Sequence, residues 1–143
     1  MDQVQVVLDT NVLVAGLRSR QGASYRLLSL VGANSRFEIN LSVPLVLEYE
    51  SVLKRHGTVP ALTADDVDGI LDYLCTEGHH REIYFLWRPF LRDPKDDMVL
   101  EVAVEACCEF IVTQNLRDFG DIERFGVRAV TPRDFLREIG EIQ

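Results

Sequence analysis

At 143 residues, with 47% apolar and 27% charged side chains, the chain can close one core without a disulfide or metal staple. Its 15 Lys and Arg against 23 Asp and Glu give a net charge of −8, which excludes a general nucleic-acid binder held by counterion release. Nucleic acid stays compatible with that charge only locally, where cations neutralise an acidic cleft. No apolar run nears the ~20 residues of a membrane span, and the strand pattern at the start leaves no expectation of a signal peptide. Cys75, Cys107 and Cys108 lack CxxC spacing and fit a reducing cytoplasm better than zinc or a disulfide framework.

Val6-Val7-Leu8 is a short apolar run that delivers Asp9, Thr10 and Asn11, and it reads as a buried strand. Asp9 stands where that strand ends. Ligands of open α/β sheets bind outside the carboxyl ends of the strands, so an acid there is placed for chemistry. Equally, Asp9, with help from Asn11, can cap the helix predicted from Val12 to Leu17. Arg18 to Gly22 reads as an exposed loop. Ser24 is the predicted cap of a helix over Tyr25–Val31, ended by Gly32 and Asn34. Phe37 to Leu41 alternates as a second strand. Ser42 then caps a helix with Pro44 in its first turn, running to Arg55. Glu48 falls inside the apolar stripe of Leu45, Tyr49, Val52 and Leu53. An acid on that side needs a partner, and an arginine is the plain choice.

His56 to Pro60 reads as a loop, and Thr63 to Asp66 as a capping box opening a helix to about Cys75. Glu77 to Arg81 is polar, with His79 and His80 as exposed loop residues. Ile83 to Trp87 is apolar throughout, as a central parallel strand would be. Asp93, Pro94 and Asp96 form a second helix start, with Asp96 as the reciprocal acid of the cap. The helix from Pro94 to Cys108 is apolar on most of its circumference, leaving Glu101 and Glu105 for water. Asp93, Asp96 and Asp97 together exceed what a helix dipole asks for. Helical phase alone does not say which of Asp96 and Asp97 faces a cleft. Glu109 to Thr113 is a fourth strand, with Asn115 and Asp118 in the turn beyond it. Val127 to Val130 is a fifth, and Thr131 caps a last helix to about Ile139.

Alternating strands and helices predict an α/β domain over residues 1–143 with a mostly parallel sheet of four to five strands. Asp9, Glu48, Asp96, Asp97, Asn115 and Asp118 would then gather at one carboxyl edge. Carboxylates brought together repel unless a cation intervenes. Hard oxygen ligands select Mg²⁺ or Mn²⁺, and no His or Cys cluster points to zinc. Such ions activate water and stabilise in-line displacement at phosphorus, in many nucleases as a pair ~4 Å apart. The acid set therefore points to metal-dependent phosphodiester hydrolysis.

Nearly the whole chain resembles the PIN-domain ribonucleases, in the branch of toxins of toxin–antitoxin pairs. VVLDTNVLV is similar to the opening motif and carries its first acid at Asp9. SVPLVLEYESVL resembles the helix of the second acid, Glu48. DPKDDMVLEVAVEACCEFIVTQNLRDF resembles the third and fourth motifs, and VRAVTPRDFLREI the closing strand and helix. By spacing to the IVT strand, the resemblance assigns the third acid to Asp97. It implies a three-layer α/β/α fold, with Mg²⁺ or Mn²⁺ held by Asp9, Glu48 and Asp97 and assisted by Asn115. Thr10, Asn11, Asp96, Thr113 and Asp118 would support that set. Many relatives carry an aspartate where this chain has Asn115, which offers a carbonyl oxygen without charge. Asp118 is the expected partial substitute. The resemblance further implies a cytoplasmic enzyme, single-stranded RNA as substrate, an antitoxin partner and a homodimer. Arg18, Arg20, Arg26, Lys54, Arg55 and Arg117 are either contacts to an RNA backbone or plain solubilising charges. Two other readings compete. A haloacid-dehalogenase-type phosphatase would want an acid where Asn11 stands. A non-catalytic PIN-like binding module draws its support from Asn115.

Overall fold

The computed structural model describes residues 3–33, 36–83 and 90–143. In chain order these form β1 (Val4–Leu8), α1 (Thr10–Arg18), α2 (Ala23–Leu30), β2 (Phe37–Leu41), α3 (Val43–Leu53), α4 (Ala64–Glu77), β3 (His79–His80), α5 (Pro94–Glu105), β4 (Phe110–Val112), β5 (Arg128–Val130) and α6 (Pro132–Glu138). Two 3₁₀ turns, Leu116–Phe119 and Ile122–Phe125, lie between β4 and β5. The sheet runs β3-β2-β1-β4-β5 with every pair parallel. Helices on both faces complete the three-layer α/β/α arrangement expected from the sequence.

The order has one functional consequence. From β1 the chain builds outward through β2 to β3, then returns through α5 to place β4 on the other side of β1. The connections therefore diverge at β1 and β4, and open α/β sheets bind their ligands at such a point. Val6, Val7 and Leu8 pair with Phe110, Ile111 and Val112, so the ends of the two strands are level. The Asp9 N–H continues the ladder to the Val112 carbonyl at 2.9 Å. The core beneath is apolar and closely packed, with Val6, Val7, Leu8, Leu100 and Ile111 at 1% exposure or less. Phe135 of α6 meets Phe37 and Phe110 edge to face, fastening α6 across β2 and β4.

The caps at Ser42, Thr63 and Thr131 each accept the amide expected of them, and Thr63 with Asp66 forms the full reciprocal box. Four local expectations are corrected. Ser24 does not cap α2; Gly22 does, without a side-chain bond, and Ser24 is buried one residue inside the helix. Helix α5 stops at Glu105 instead of Cys108, because Cys107 takes a left-handed φ of 52° and the Cys108 N–H returns to the Ala103 carbonyl. Glu101 is buried instead of solvated, since α5 packs against β1, β2, β4 and α3. His79 and His80 are exposed, yet they form the short edge strand β3, paired with Asn40 and Leu41. Of the strand expected over Ile83–Trp87, residues 84–87 lie outside the described residues, and Ile83 is not in a strand.

Candidate active site

Strand β1 ends at Leu8, Asp9 follows it directly, and the next residue already begins α1. The Asp9 carboxylate therefore does two things. Its Oδ1 accepts the Thr10 N–H at 2.8 Å, capping α1, and its Oδ2 accepts the Thr113 hydroxyl at 2.8 Å from the end of β4. Capping and placement for chemistry are thus one geometry at this residue. The Thr113 hydroxyl also accepts the Asn115 N–H at 3.1 Å and the Asn11 Nδ2 at 3.4 Å. Asn11 Oδ1 accepts the Gln114 N–H at 3.1 Å. Asn11, Thr113 and the backbone of 114–115 lock the ends of β1 and β4 together around one buried carboxylate.

A cleft of about 280 Å³ opens beside it, lined on its polar side by Asp9, Glu48, Asp93, Lys95, Asp96 and Asp118. Thr10 and Asn11 also border it, with Val14 and Val52 as apolar wall. Glu48 arrives on α3. The next residue, Tyr49, is buried and donates its hydroxyl to the Leu8 carbonyl, tying α3 to β1 one residue before Asp9. Burial, with Asp9 nearby, drives the Tyr49 phenol well above its ordinary pKa, so it stays a donor. The partner of Glu48 is not an arginine: Lys95 Nζ stands 3.8 Å from its Oε1.

Adjacent helix residues point about 100° apart, so α5 can turn only one of Asp96 and Asp97 into the cleft. It turns Asp96. The capping bond of α5 runs instead from the Lys95 N–H to Asp93 Oδ1 at 2.9 Å, leaving the Asp96 side chain to the cleft. Asp97, expected as the third ligand, does not line the cleft. It is 1% exposed, and its Oδ1 accepts the Leu91 N–H at 2.9 Å. Its Oδ2 is buried without a hydrogen-bond partner among the described residues. Asn115 is exposed and does not line the cleft either; its backbone, not its side chain, meets Thr113. Asp118, in the 3₁₀ turn that follows, takes that side.

The electrostatics are those of crowded acids. Burial first, then the charges of Asp9, Asp118, Asp93 and Asp97, push the Asp96 carboxyl up to about 7. Burial raises Asp9 as well, against the lowering effect of its bonds to Thr113 and Thr10. A divalent cation removes this repulsion, and the donor set is oxygen throughout, which suits Mg²⁺ or Mn²⁺. Among the described residues, no three Asp, Glu, His or Cys side chains converge tightly enough to hold an ion alone. Mg²⁺ accepts such a site, because it keeps several waters and leans on one or two carboxylates plus substrate phosphates.

Residues 5–117 match the family model of the PIN domain. The chain belongs to the PIN-domain family. Its members are generally nucleases. Among solved structures, a chain of VapBC2 from Rickettsia felis, bound to a DNA fragment from their promoter, is similar at a TM-score of 0.59. The match covers 90% of this chain and 98% of that one at 17% identity, which speaks for the fold. No curated protein matches the chain in sequence.

Sequence reasoning gave three residues here no role in the site. Lys95 is the lone cation in a run of acids, and that isolation was its signal. Tyr49 was read as core; its position beside Glu48 is what makes its hydroxyl a positioning group. Asp93 was read as the cap and as one of three acids beyond what a helix dipole asks for, though not as a site residue, and it also borders the cleft.

Proposed function

We propose that the protein is a metal-dependent endoribonuclease that hydrolyses phosphodiester bonds of single-stranded RNA, acting in the cytoplasm as the toxin of a toxin–antitoxin pair. The observation that carries this reading is the acidic cleft at the β1–β4 divergence, with Asp9, Glu48 and Asp96 presented from three different elements of a PIN-domain chain. Asp9, Glu48 and Asp96 bind Mg²⁺ or Mn²⁺, with Asp118 on the side where Asn115 was expected to assist. When bound, such an ion lowers the pKa of a coordinated water and neutralises charge on the phosphate. The chain's own residues do the rest. Thr113 and the Thr10 amide fix both oxygens of Asp9. Tyr49 fixes the approach of Glu48, and Lys95 is the cation that lines the cleft, 3.8 Å from Glu48. Asp97 acts from behind, holding the backbone at Leu91 and so the start of α5.

The partner reading has its own support. An apolar groove of about 670 Å³, floored by Leu13, Leu17, Leu28 and Ile70, leaves Tyr25 and Tyr73 partly exposed. Such a face suits an antitoxin, and the similar fold of VapBC2 is consistent with one. A homodimer is proposed as the assembled form. No helix among the described residues is long and apolar enough to cross a membrane.

The direct test incubates the purified chain with a single-stranded RNA, with Mg²⁺, Mn²⁺ or EDTA, and maps the ends produced. Cleavage restored by either ion and abolished by EDTA is expected. Binding of RNA with no metal-dependent cleavage, and no heat of Mg²⁺ or Mn²⁺ binding by calorimetry, would replace the enzyme with a binding module.

A further inference from the structure

A second pocket opens on the α2–α6 side of the molecule, with the opposite charge. Its volume is about 530 Å³, and Arg20, Arg26 and Arg133 reach into it. In a chain of net charge −8, no Asp or Glu among the described residues lines this pocket. Arg26 is held by Glu141 at 3.4 Å, but Arg20 and Arg133 have no acidic partner among the described residues. Gly22 and Ala23, at the amino end of α2, form part of the wall, and no side chain caps that end. Its free amides add donors and partial positive charge to those of the arginines.

The position of this pocket is fixed relative to the cleft. Gln114 follows Thr113 at the end of β4. Its backbone N–H is bound by Asn11, which borders the cleft, while its Nε2 donates to Ser24 in α2 at 2.5 Å. Gly16 permits this closeness. A Cβ there would stand 3.1 Å from the Ser24 backbone and 2.5 Å from Leu28 Cδ1, so only glycine lets α1 and α2 cross so tightly. Arg133 lies one residue inside α6, which starts at the end of β5 on the same edge of the sheet. Gln114 thus ties Asn11, at the border of the cleft, to α2, whose amino end walls the basic pocket.

We propose that this basic pocket holds a backbone phosphate of the substrate strand outside the scissile bond, with Arg20 and Arg133 as its grips. The proposal rests on the nuclease reading above and adds a binding direction to it: the strand runs from the cleft past Gln114 onto the α2–α6 side. An acidic protein gains its hold on a polyanion at this patch, while the reacting phosphate is left to the cation-filled cleft. Phosphate contacts of this kind position a strand without reading its sequence.

The test compares wild type with the double variant Arg20→Gln/Arg133→Gln and with a charge-matched control, Arg124→Gln/Arg128→Gln, in the second 3₁₀ turn and at the amino end of β5. Each is assayed for Mg²⁺-dependent cleavage of a twelve-nucleotide single-stranded RNA and of a dinucleotide. Strand binding is followed by fluorescence anisotropy with Ca²⁺ in place of Mg²⁺. On the long strand the double variant should raise KM by about tenfold with kcat within about twofold, as loss of uniform binding does. Its salt dependence should weaken by about 1.4 in log–log slope, for two lost contacts at ~0.7 each. The dinucleotide, too short to reach past the cleft, should be cleaved alike by all three proteins. Equal KM values on the long strand, or an equal loss in the Arg124/Arg128 control, would overturn the pocket and leave the nuclease reading standing. A wild type that cleaves nothing while the double variant still weakens strand binding would do the reverse. Inorganic phosphate binding at the arginines without any effect on the strand would mark a small-anion site and also overturn the proposal.

Discussion

The acidic cleft and the basic pocket share one edge of one sheet but are built in opposite ways. The cleft's central carboxylate is 7% exposed and both its oxygens are bonded, one to an amide and one to a hydroxyl. Asp96 is 9% exposed and Asp97 1%. The basic pocket draws on exposed arginines from a loop and the first turn of α6, and among the described residues no bond holds the Arg20 or Arg133 side chain in place. Rigid, buried groups set geometry at the cost of desolvation; mobile surface cations give affinity at little structural cost. The contrast teaches a division of labour. Chemistry needs the preorganised site, and capture of a flexible strand needs only charge in the right place.

The largest expected effect tests the rigid half. Asp9→Asn and Asp96→Asn should each lower RNA cleavage by about a thousandfold or more, since both remove a charge from the cation's surroundings. Circular dichroism should show both folded. Asp97→Asn separates the two neighbours on α5. If Asp97 acts only by holding the Leu91 amide, its variant should lose thermal stability while keeping far more activity than Asp96→Asn. Full activity in Asp96→Asn, with Asp97→Asn inactive and stable, would return the third acid to Asp97.

This pair also marks where the sequence stopped being legible. Asp9 was readable because it interrupts an apolar strand, and Glu48 because it breaks an apolar helical stripe. The parallel sheet and its carboxyl edge followed from the alternation of periods. Asp96 and Asp97 differ by one residue, and motif spacing across the irregular end of α5 cannot resolve one residue. Cys107 shows why: its left-handed turn ends the helix three residues before the apolar pattern does. Strand β3 was illegible because two polar, exposed histidines show no strand period; only the fold sets them beside β2, where His79 also meets the Glu38 carboxylate. Arg20 and Arg133 interrupt no pattern. Their meaning lies in what surrounds them in space, which no one-dimensional period records.

The next effect is on stability. The Asp96 carboxyl has a folded-state pKa of about 7 against an ordinary 3.8, and Asp9 is shifted the same way. Between those values the folded protein binds the extra proton, so stability must fall as pH rises from about 4 to about 7, and the loss is complete above 7. For Asp96 the penalty is on the order of 2–4 kcal/mol in the metal-free protein. Differential scanning fluorimetry in EDTA should therefore give a lower Tm at pH 8 than at pH 5.5. Mg²⁺ or Mn²⁺ should raise Tm more at pH 8 than at pH 5.5, because a cation offsets a charge present only at the higher pH. A metal effect independent of pH would break the link between the crowded acids and the ion.

A smaller change tests how the rigid half is held. Tyr49→Phe removes one hydroxyl from a buried bond and leaves the Leu8 carbonyl short of its donor, at a cost of about 1–3 kcal/mol. Tm should drop by several degrees, with activity falling only a few-fold, since no group leaves the cleft. An unchanged Tm would mean that α3 is set on β1 by packing alone.

The smallest expected effect joins the two halves. Gln114→Ala deletes the side-chain bond to Ser24 while sparing the backbone amide held by Asn11. A partly buried bond between neutral groups contributes about 1 kcal/mol, so stability should change little. If the strand passes over Gln114, however, the variant loosens the spacing between a phosphate in the cleft and one in the basic pocket. KM on the long RNA should then rise two- to threefold, and the effect should vanish in the Arg20→Gln/Arg133→Gln background. Non-additivity of that kind is what two groups serving one binding event produce, and strict additivity would show that cleft and pocket act on the strand independently.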